Sequence, residues 1–408
     1  MTFTAPPPRS GRRGRPRALL IAVHSAAPGG AQAMALAQAE RFAERCEVIA
    51  AVPDGPLRER FAACAEVIRP VPSLPTWEGV SRSRWMLQRA RSRRAAVRLV
   101  ATIRRRRVGA VLTSSTVTLA PTLAARLAGV PSFVHAREWP VTPAGLAVFA
   151  LQRRSADHIV AISAGVAARF PDEGRAAIIQ IPDGISAGPP PRTEAALGEP
   201  LRLCVIGSLT AGDGKGQHRA VEALAALRAH RVEATLSVVG PVLDRDYAER
   251  VGRVARELGV ADRVRMVGPV EDVPALLEAH DALLFCSRQG ADVTPLVIME
   301  ALVAERPVVA ADVGSVAEVM PDGECGSLVP AEDPAAMAAA IAALAVDPEG
   351  ARERARRGAA RVRERFDRDA GIERLWEEIA ARVVVDTTSQ VTEFRARSFQ
   401  SRSETLER

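Results

Sequence analysis

Leu201-Arg-Leu-Cys-Val-Ile206 runs into Gly207-Ser-Leu-Thr-Ala-Gly-Asp-Gly-Lys215-Gly216, and a helical pattern follows. The opening run is short and apolar, as a strand buried on both faces must be. Glycines at 212, 214 and 216 let the backbone approach a ligand closely. The Lys215 ammonium is a point charge suited to phosphate. The stretch is not a P-loop, since Gly216 and not Ser or Thr follows the Lys. The plain alternative is a glycine-rich turn with a solvated Lys. The same strand–loop–helix grammar occurs about 180 residues upstream, and two such openings predict two doubly wound domains facing each other across a cleft. There Leu19–Val23 leads into His24-Ser-Ala-Ala-Pro-Gly29-Gly30-Ala-Gln32, and a helix is expected from about Ala31. This loop lacks G-x-G-x-x-G, so a dinucleotide fingerprint is not supported.

Working outward, β-rich runs recur near 47–52, 109–113, 131–135, 157–161 and 176–181 in the first array. In the second they recur near 235–239, 263–267, 281–286 and 307–310. Helical stretches lie between them, which is the pattern of a parallel sheet covered by helices. The break Ser186-Ala-Gly-Pro-Pro-Pro-Arg192 suits a domain linker. The expected organisation is a disordered basic tail over 1–17, a Rossmann-like domain over 18–190 and a linker over 191–200. A second Rossmann-like domain follows over 201–365, then a helix over 366–385 packing back on the first domain, then a disordered tail over 386–408.

The chain has 408 residues, 48% apolar and 25% charged, which excludes disorder as its main state. Its net charge of +7 is local. Residues 1–17 hold five Arg and no acid, and residues 76–110 hold eleven Arg and one Glu, so the remainder is acidic. That distribution argues against nucleic acid as a partner of the whole chain. The five Cys are scattered without a C-x-x-C, and the N-terminus lacks an apolar signal core, so a cytoplasmic protein is expected. No stretch is long and apolar enough to read as a transmembrane helix. Among 55 basic residues there is a single Lys, Lys215. Either that is drift, or an Arg cannot replace it there.

Other segments bear chemistry. In Asp292-Val-Thr-Pro-Leu-Val-Ile-Met-Glu300, Thr294 is a good N-cap and Pro295 suits the first helical position. The free amides of Leu296 and Val297 would then face the crevice at the strand ends and favour an anion. Asp292 and Glu300 are acceptors for sugar or ribose hydroxyls, or the solvated acids of a capped surface helix. Val134-His135-Ala-Arg137-Glu138-Trp139 closes another strand, where His135 is a candidate base or a satisfied structural residue. Asp244-Arg-Asp246 and Asp367-Arg-Asp369 resemble metal-holding pairs, but helix capping suits them better, and no metal is assigned. Trp85–Arg107 is a basic helix candidate with Met86, Ala90, Val97 and Val100 at helical spacing. Those residues form either a core-facing stripe or part of a face attracted to anionic lipid.

Together these pieces resemble the retaining glycosyltransferases of family 4, with the GT-B fold, from about residue 18 to 384. The E-x7-E pattern followed by E-A-[ML]-A and P-V-V-A reads here Asp292-x7-Glu300-Ala-Leu-Val-Ala304, then Pro307-Val-Val-Ala310. The GG-A-E/Q opening (Gly29 to Gln32), the A-D-x-I-V-A-x-S strand (Ala156 to Ser163) and Ile181-Pro-Asp183-Gly-Ile185 are also similar, as are Gly207-Ser208-Leu209…Lys215-Gly216 and Gly314-Ser315-Val-Ala-Glu318.

The resemblance implies a hexosyltransferase that moves a sugar from a nucleotide-diphosphate donor with retained configuration and no obligatory metal. The acceptor would be a glycan, a lipid-linked sugar or a small molecule, as in polysaccharide or glycolipid synthesis at the inner membrane face. The first domain would carry the acceptor and the second the donor. Glu300 would bind the ribose and Asp292 the transferred sugar. Lys215 and the amides of Leu296 and Val297 would hold the diphosphate, with Ser208 and Thr294 in the same donor set. Gly29 and Gly30 would close over the donor, and His135 would sit by the reacting sugar, with Arg137 and Glu138 on the acceptor side. Three residues depart from the family: Ser208 stands for Arg, Asp292 for Glu and Asp183 for Asn. A nucleotide-sugar-binding scaffold without turnover and an epimerase-like enzyme of the same fold therefore stay open.

Overall fold

The computed structural model describes residues 18–27, 29–74, 81–186, 188, 197–212 and 214–383. Both expected tails and residues 191–196 of the expected linker lie outside them. Two parallel sheets make up the molecule. The first has β1 (Ala18–Ala22), β2 (Glu47–Ala51), β3 (Glu66–Ile68), β4 (Val108–Thr113), β5 (Ser132–Ala136), β6 (His158–Ala161) and β7 (Ala177–Gln180), in the order β3-β2-β1-β4-β5-β6-β7. The second has β8 (Leu201–Ile206), β9 (Ala234–Val239), β10 (Val264–Gly268), β11 (Ala282–Phe285), β12 (Val308–Ala311) and β13 (Ser327–Val329), in the order β10-β9-β8-β11-β12-β13. Central strands such as β1 and β11 are buried throughout, as helices on both faces of a parallel sheet require. β3 and β13 escaped the sequence reading: each is three residues long at a sheet edge, too short to show a period.

In both sheets the strand order reverses beside the first strand of the domain. That places the switch points between β1 and β4 and between β8 and β11. Loops leaving two such strands diverge to opposite faces and open a crevice at their carboxyl ends.

The chain crosses between domains twice, and the crossings are joined. Ile185 donates to the Phe366 carbonyl at 3.0 Å, and Arg368 donates back to Ile185 at 3.1 Å. A side chain at Gly184 would collide with the Phe366 carbonyl, which is why Gly stands between Asp183 and Ile185. After the second crossing the helix Arg368–Ala380 buries Ile372, Leu375, Trp376 and Ile379 in one cluster with Leu19, Ile21 and Phe42 of the first domain. Trp376 lies 5.4 Å from the Phe42 ring, and Glu373 pairs with Arg41 and Arg45. Asp244 and Asp367 cap their helices through Tyr247 N and Ala370 N, the role their positions suggested.

Candidate functional site

On the second domain the loops leaving β8 and β11 meet. Gly216 has φ +66°, and a side chain there would strike the Cys286 carbonyl, so the end of the Lys215 loop lies directly against β11. Beneath the loop Gln217 Nε2 donates to the Gly207 carbonyl at 3.0 Å, and Tyr247 donates its hydroxyl to Gln217 Oε1 at 3.1 Å. This buried support holds Lys215 against Asp292, 77 residues away in sequence. Lys215 Nζ binds one carboxylate oxygen of Asp292, and the buried Ser287 hydroxyl donates to the other. Arg288 is tied to the same loop, its backbone N–H donating to Gly214 O at 3.0 Å and its Nε to Gly212 O at 3.2 Å. Ser208 is half-buried, and its carbonyl accepts from Gln217 at 3.4 Å.

The helix beyond this loop is Leu296–Val303, with Pro295 and not Thr294 at its N-cap. The expected start is therefore displaced by one residue. Pro295 has extended ψ (114°), and the buried Thr294 hydroxyl makes no hydrogen bond among the described residues. Without a side-chain cap, the amides of Leu296 and Val297 keep no acceptor among the described residues. Orphan amides at a helix start attract an anion. About one turn on, Glu300 is half-buried with no side-chain partner among the described residues, and burial pushes its carboxyl above the ordinary value.

The first domain's strand ends are organised differently. His135, at the end of β5, is 2% exposed. Gln38 Nε2 lies 3.3 Å from its Nδ1, and Asp183 lies 3.7 Å from its Nε2. Burial, then the adjacent Arg137 charge, push its pKa down to about 3. Arg137 is not presented to the cleft. Its guanidinium grips Asp183 with two bonds, at 2.6 and 3.0 Å, and donates to the Ser114 carbonyl at 3.2 Å. Burial alone would raise the Asp183 pKa, but the charge and hydrogen bonds of Arg137, together with His135, hold the carboxyl below its usual range. An Asp in place of Asn thus answers a buried Arg. Glu138 accepts from the Ser115 hydroxyl, from Thr116 Oγ1 at 2.8 Å and from two backbone amides at 3.2 Å. Of the residues expected on the acceptor side, Arg137 is buried and engaged by Asp183 and Glu138 is half-buried and engaged by Ser115 and Thr116, whereas the buried Nε2 of His135 has no hydrogen-bond partner among the described residues. His24 lies nearby, 3.3 Å from Gln32, and burial lowers its pKa.

The domains touch at several points. A Cβ on Gly30 would sit 3.1 Å from Leu296, so the first domain's glycine loop lies on the start of the second domain's helix. Gly290 lies as closely against Val141, and Val293 is buried in the cluster of Val134, Ile162 and Val166. Ser315 meets Ser163 at 2.6 Å, and Glu318 accepts from the amides of Ala164 (2.9 Å) and Gly165 (2.8 Å). Beside these contacts an interdomain cavity of about 730 Å³ is lined by Ser163, Thr294, Ser315, Glu318 and Arg361 among others.

The structure thus brings together Lys215, Asp292, Leu296 and Val297 with Gly30. Sequence reading missed Ser287, Arg288, Tyr247 and the Ser315–Glu318 crossing. Ser287 and Arg288 were findable from their place just past β11. Tyr247 acts through contacts that leave no local pattern, and the Gly314–Glu318 motif by itself did not say that Glu318 reaches the other domain. Among the described residues no His, Cys, Asp or Glu group is arranged to hold a metal, and no helix is long and apolar enough to cross a membrane.

Residues 200–347 match the family model of Glycosyl transferases group 1. The chain is 38% identical over 87 residues to a phosphatidyl-myo-inositol mannosyltransferase of Mycobacterium leprae, covering 21% of this chain and 23% of that protein. It is 30% identical over 251 residues to a GDP-mannose-dependent alpha-(1-6)-phosphatidylinositol monomannoside mannosyltransferase of Mycolicibacterium smegmatis, covering 56% and 64% respectively. The matched part therefore spans less than two thirds of either relative. Among solved structures, Anabaena Alr3699/HepE in complex with UDP superposes with a TM-score of 0.74 at 22% identity, covering 90% of this chain and 100% of that one. That likeness shows the fold: two Rossmann-like domains in the GT-B arrangement.

Proposed function

We propose that this protein is a glycosyltransferase that moves a sugar from a nucleotide-diphosphate donor to a hydroxyl acceptor, with retained configuration and no obligatory metal. The observation that carries the reading is the union of Lys215, Asp292 and the uncapped start of the helix Leu296–Val303 at the β8/β11 switch point. The orphan amides of Leu296 and Val297 take the diphosphate, with the helix dipole behind them. Lys215 leaves Asp292 for the phosphate, and Asp292 turns to a sugar hydroxyl. Glu300, desolvated and unpartnered, accepts from the ribose hydroxyls. In the transfer, the bond from the anomeric carbon to the diphosphate oxygen breaks and its electron pair leaves on the diphosphate. The acceptor oxygen forms the new bond, and its proton passes to the departing phosphate. Lys215 stabilises the charge that develops there. The similarity of residues 200–347 to Glycosyl transferases group 1 supports the donor assignment.

A thermal-shift screen against UDP-, GDP- and ADP-sugars tests it, because a ligand of the native state raises the melting temperature. At least one sugar nucleotide should stabilise the protein and be hydrolysed or transferred. No shift with any of them overturns the reading. Binding without turnover would favour a nucleotide-sugar-binding scaffold. That second reading is supported by Ser208 and by a site in which Lys215 is already neutralised by Asp292.

We also infer peripheral contact with an anionic membrane through the helix Arg82–Arg105, which fits a lipid-linked acceptor and a cytoplasmic location at the inner face. Ser92, Ala96, Leu99 and Ile103 form its buried stripe. Of the residues expected at helical spacing, Val100 packs partly buried against that core, whereas Met86, Ala90 and Val97 face solvent, with Met86 54% and Val97 66% exposed. Helical geometry sets these three among Arg93, Arg94 and Arg104, with no acid in the helix. Such a face suits headgroups and shallow acyl insertion. Vesicles of phosphatidylglycerol should bind the protein and release it with salt. Salt-insensitive binding, or none, would reject this.

A further inference from the structure

The segment Gly314–Glu318, between β12 and β13, touches the loop bearing Asp292 on one side and the first domain on the other. Gly314 has φ +59°, and a Cβ there would lie 2.7 Å from the Asp292 carbonyl and 2.8 Å from that of Val293. Gly314 N donates to Gln289 Oε1 at 3.3 Å, and Ser315 N donates to Val293 O at 2.8 Å. On the far side, Ser315 Oγ and the Glu318 carboxylate reach Ser163 Oγ and the amides of Ala164 and Gly165. These amides open the short helix Ala164–Ala167, whose Val166 N is already satisfied by Ser163. Glu318 thus completes the hydrogen bonding of a first-domain turn from the opposite domain.

We propose that Gly314–Glu318 is a strap that holds the two domains together across the cleft, and that Glu318 is a positioning residue that fixes the Asp292 loop against the first domain. A charge-assisted bond is stronger than a neutral one, and here a single carboxylate accepts two. When it lets go, Ala164 and Gly165 regain water, and the side of the Asp292 loop held by Ser315 is no longer anchored to the first domain. Val293 and Gly290 then lose their first-domain neighbours as the domains part. A donor that must touch both Gly30 and the amide of Leu296 binds only the joined form. Its apparent affinity therefore falls with the fraction joined. The strap itself stands on geometry alone; its effect on the donor rests on the nucleotide-sugar reading above.

The full chain tests this in two steps. Small-angle X-ray scattering without ligand should show a larger radius of gyration for Glu318→Ala than for the unaltered protein, with Glu318→Gln between them, since its amide oxygen can still accept one bond. Ala164→Pro removes one of the two donors from the opposite domain at a first helical position, where Pro is tolerated. It should expand the molecule too, and adding it to Glu318→Ala should expand it no further. In the second step, a nucleoside diphosphate should bind Glu318→Ala roughly tenfold more weakly and draw it back to the compact form. The rate at saturating donor should be nearly unchanged. Scattering equal to the unaltered protein in both Glu318→Ala and Ala164→Pro overturns the strap. If Glu318→Ala fails to fold, Ala164→Pro decides alone. If no nucleotide binds the unaltered protein, the donor reading fails while the ligand-free scattering still judges the strap.

Discussion

The two sides of the cleft use similar residues to opposite ends. At the second domain's strand ends, Lys215 and Asp292 are part-buried and hold each other and Ser287, while Glu300 and the amides of Leu296 and Val297 have no partner among the described residues. At the first domain's strand ends, Arg137, Asp183 and Glu138 hold one another and their neighbours, and only His135 Nε2 beside them is left without a hydrogen bond among these four side chains. Polar groups that are satisfied and buried give rigidity, and a ligand could only displace them at great cost. Groups that are half-solvated and under-partnered can exchange a protein partner for a ligand. The difference teaches that the second domain's strand ends carry groups free to exchange partners, whereas most of the first domain's are already committed to one another.

The sharpest way to break that contrast is to damage the first domain's network. Asp183→Ala leaves the Arg137 guanidinium buried and unpaired, and should destabilise the protein by about 3–5 kcal/mol in urea unfolding. An effect under about 1 kcal/mol would mean that the network is solvated after all. On the binding side the order reverses. Lys215→Ala should lower kcat by roughly a hundredfold to a thousandfold, as loss of a charge-stabilising group does. Its pair with Asp292 is only part-buried, so the stability change should stay below about 1 kcal/mol. Lys215→Arg sharpens the point: if a compact ammonium is needed, activity falls even though charge is kept.

Two smaller effects depend on pH. Folded His135 stays neutral down to about pH 3, whereas the imidazole of the unfolded chain takes up a proton near 6.5. Its share of stability is therefore complete above pH 6.5 and is lost as pH falls toward 3. His135→Gln should flatten that acid decline in urea titrations at successive pH values. Glu300 has the opposite sign. Its raised carboxyl pKa means that the folded protein holds the proton longer than the unfolded chain does, so stability drops as pH rises past the unfolded value. Glu300→Gln should raise the melting temperature at neutral pH, lose that advantage in acid, and weaken nucleotide binding. A variant with no pH-dependent gain would show that Glu300 is solvated.

Much of this was legible in the chain. Apolar runs such as Leu201–Ile206 and glycine loops such as Gly212–Gly216 marked strands and strand ends, because period and turn chemistry are local properties. They also placed Lys215, Asp292 and Glu300 at the carboxyl ends of strands, where crevices form. Local pattern misled where an outcome depended on neighbours far off in sequence. Thr294 carried the right side chain for a cap, yet the helix began one residue later, after the extended Pro295. Met86 and Val97 had core spacing, yet the helix turned another stripe inward. Arg137 stood just past a strand end, but Asp183, 46 residues beyond it, holds that Arg in the interior.

By itself, then, the sequence determined two doubly wound domains, their order and the loops that bear chemistry, since each depends on short-range periodicity and on glycine's backbone freedom. Only the tertiary structure decided which charged groups stand ready and which are locked away. A side chain's burial and partners are set by elements packed from elsewhere in the chain: β11 against β8, Gln38 beneath His135, and Glu318 reaching across the cleft to Ala164 and Gly165.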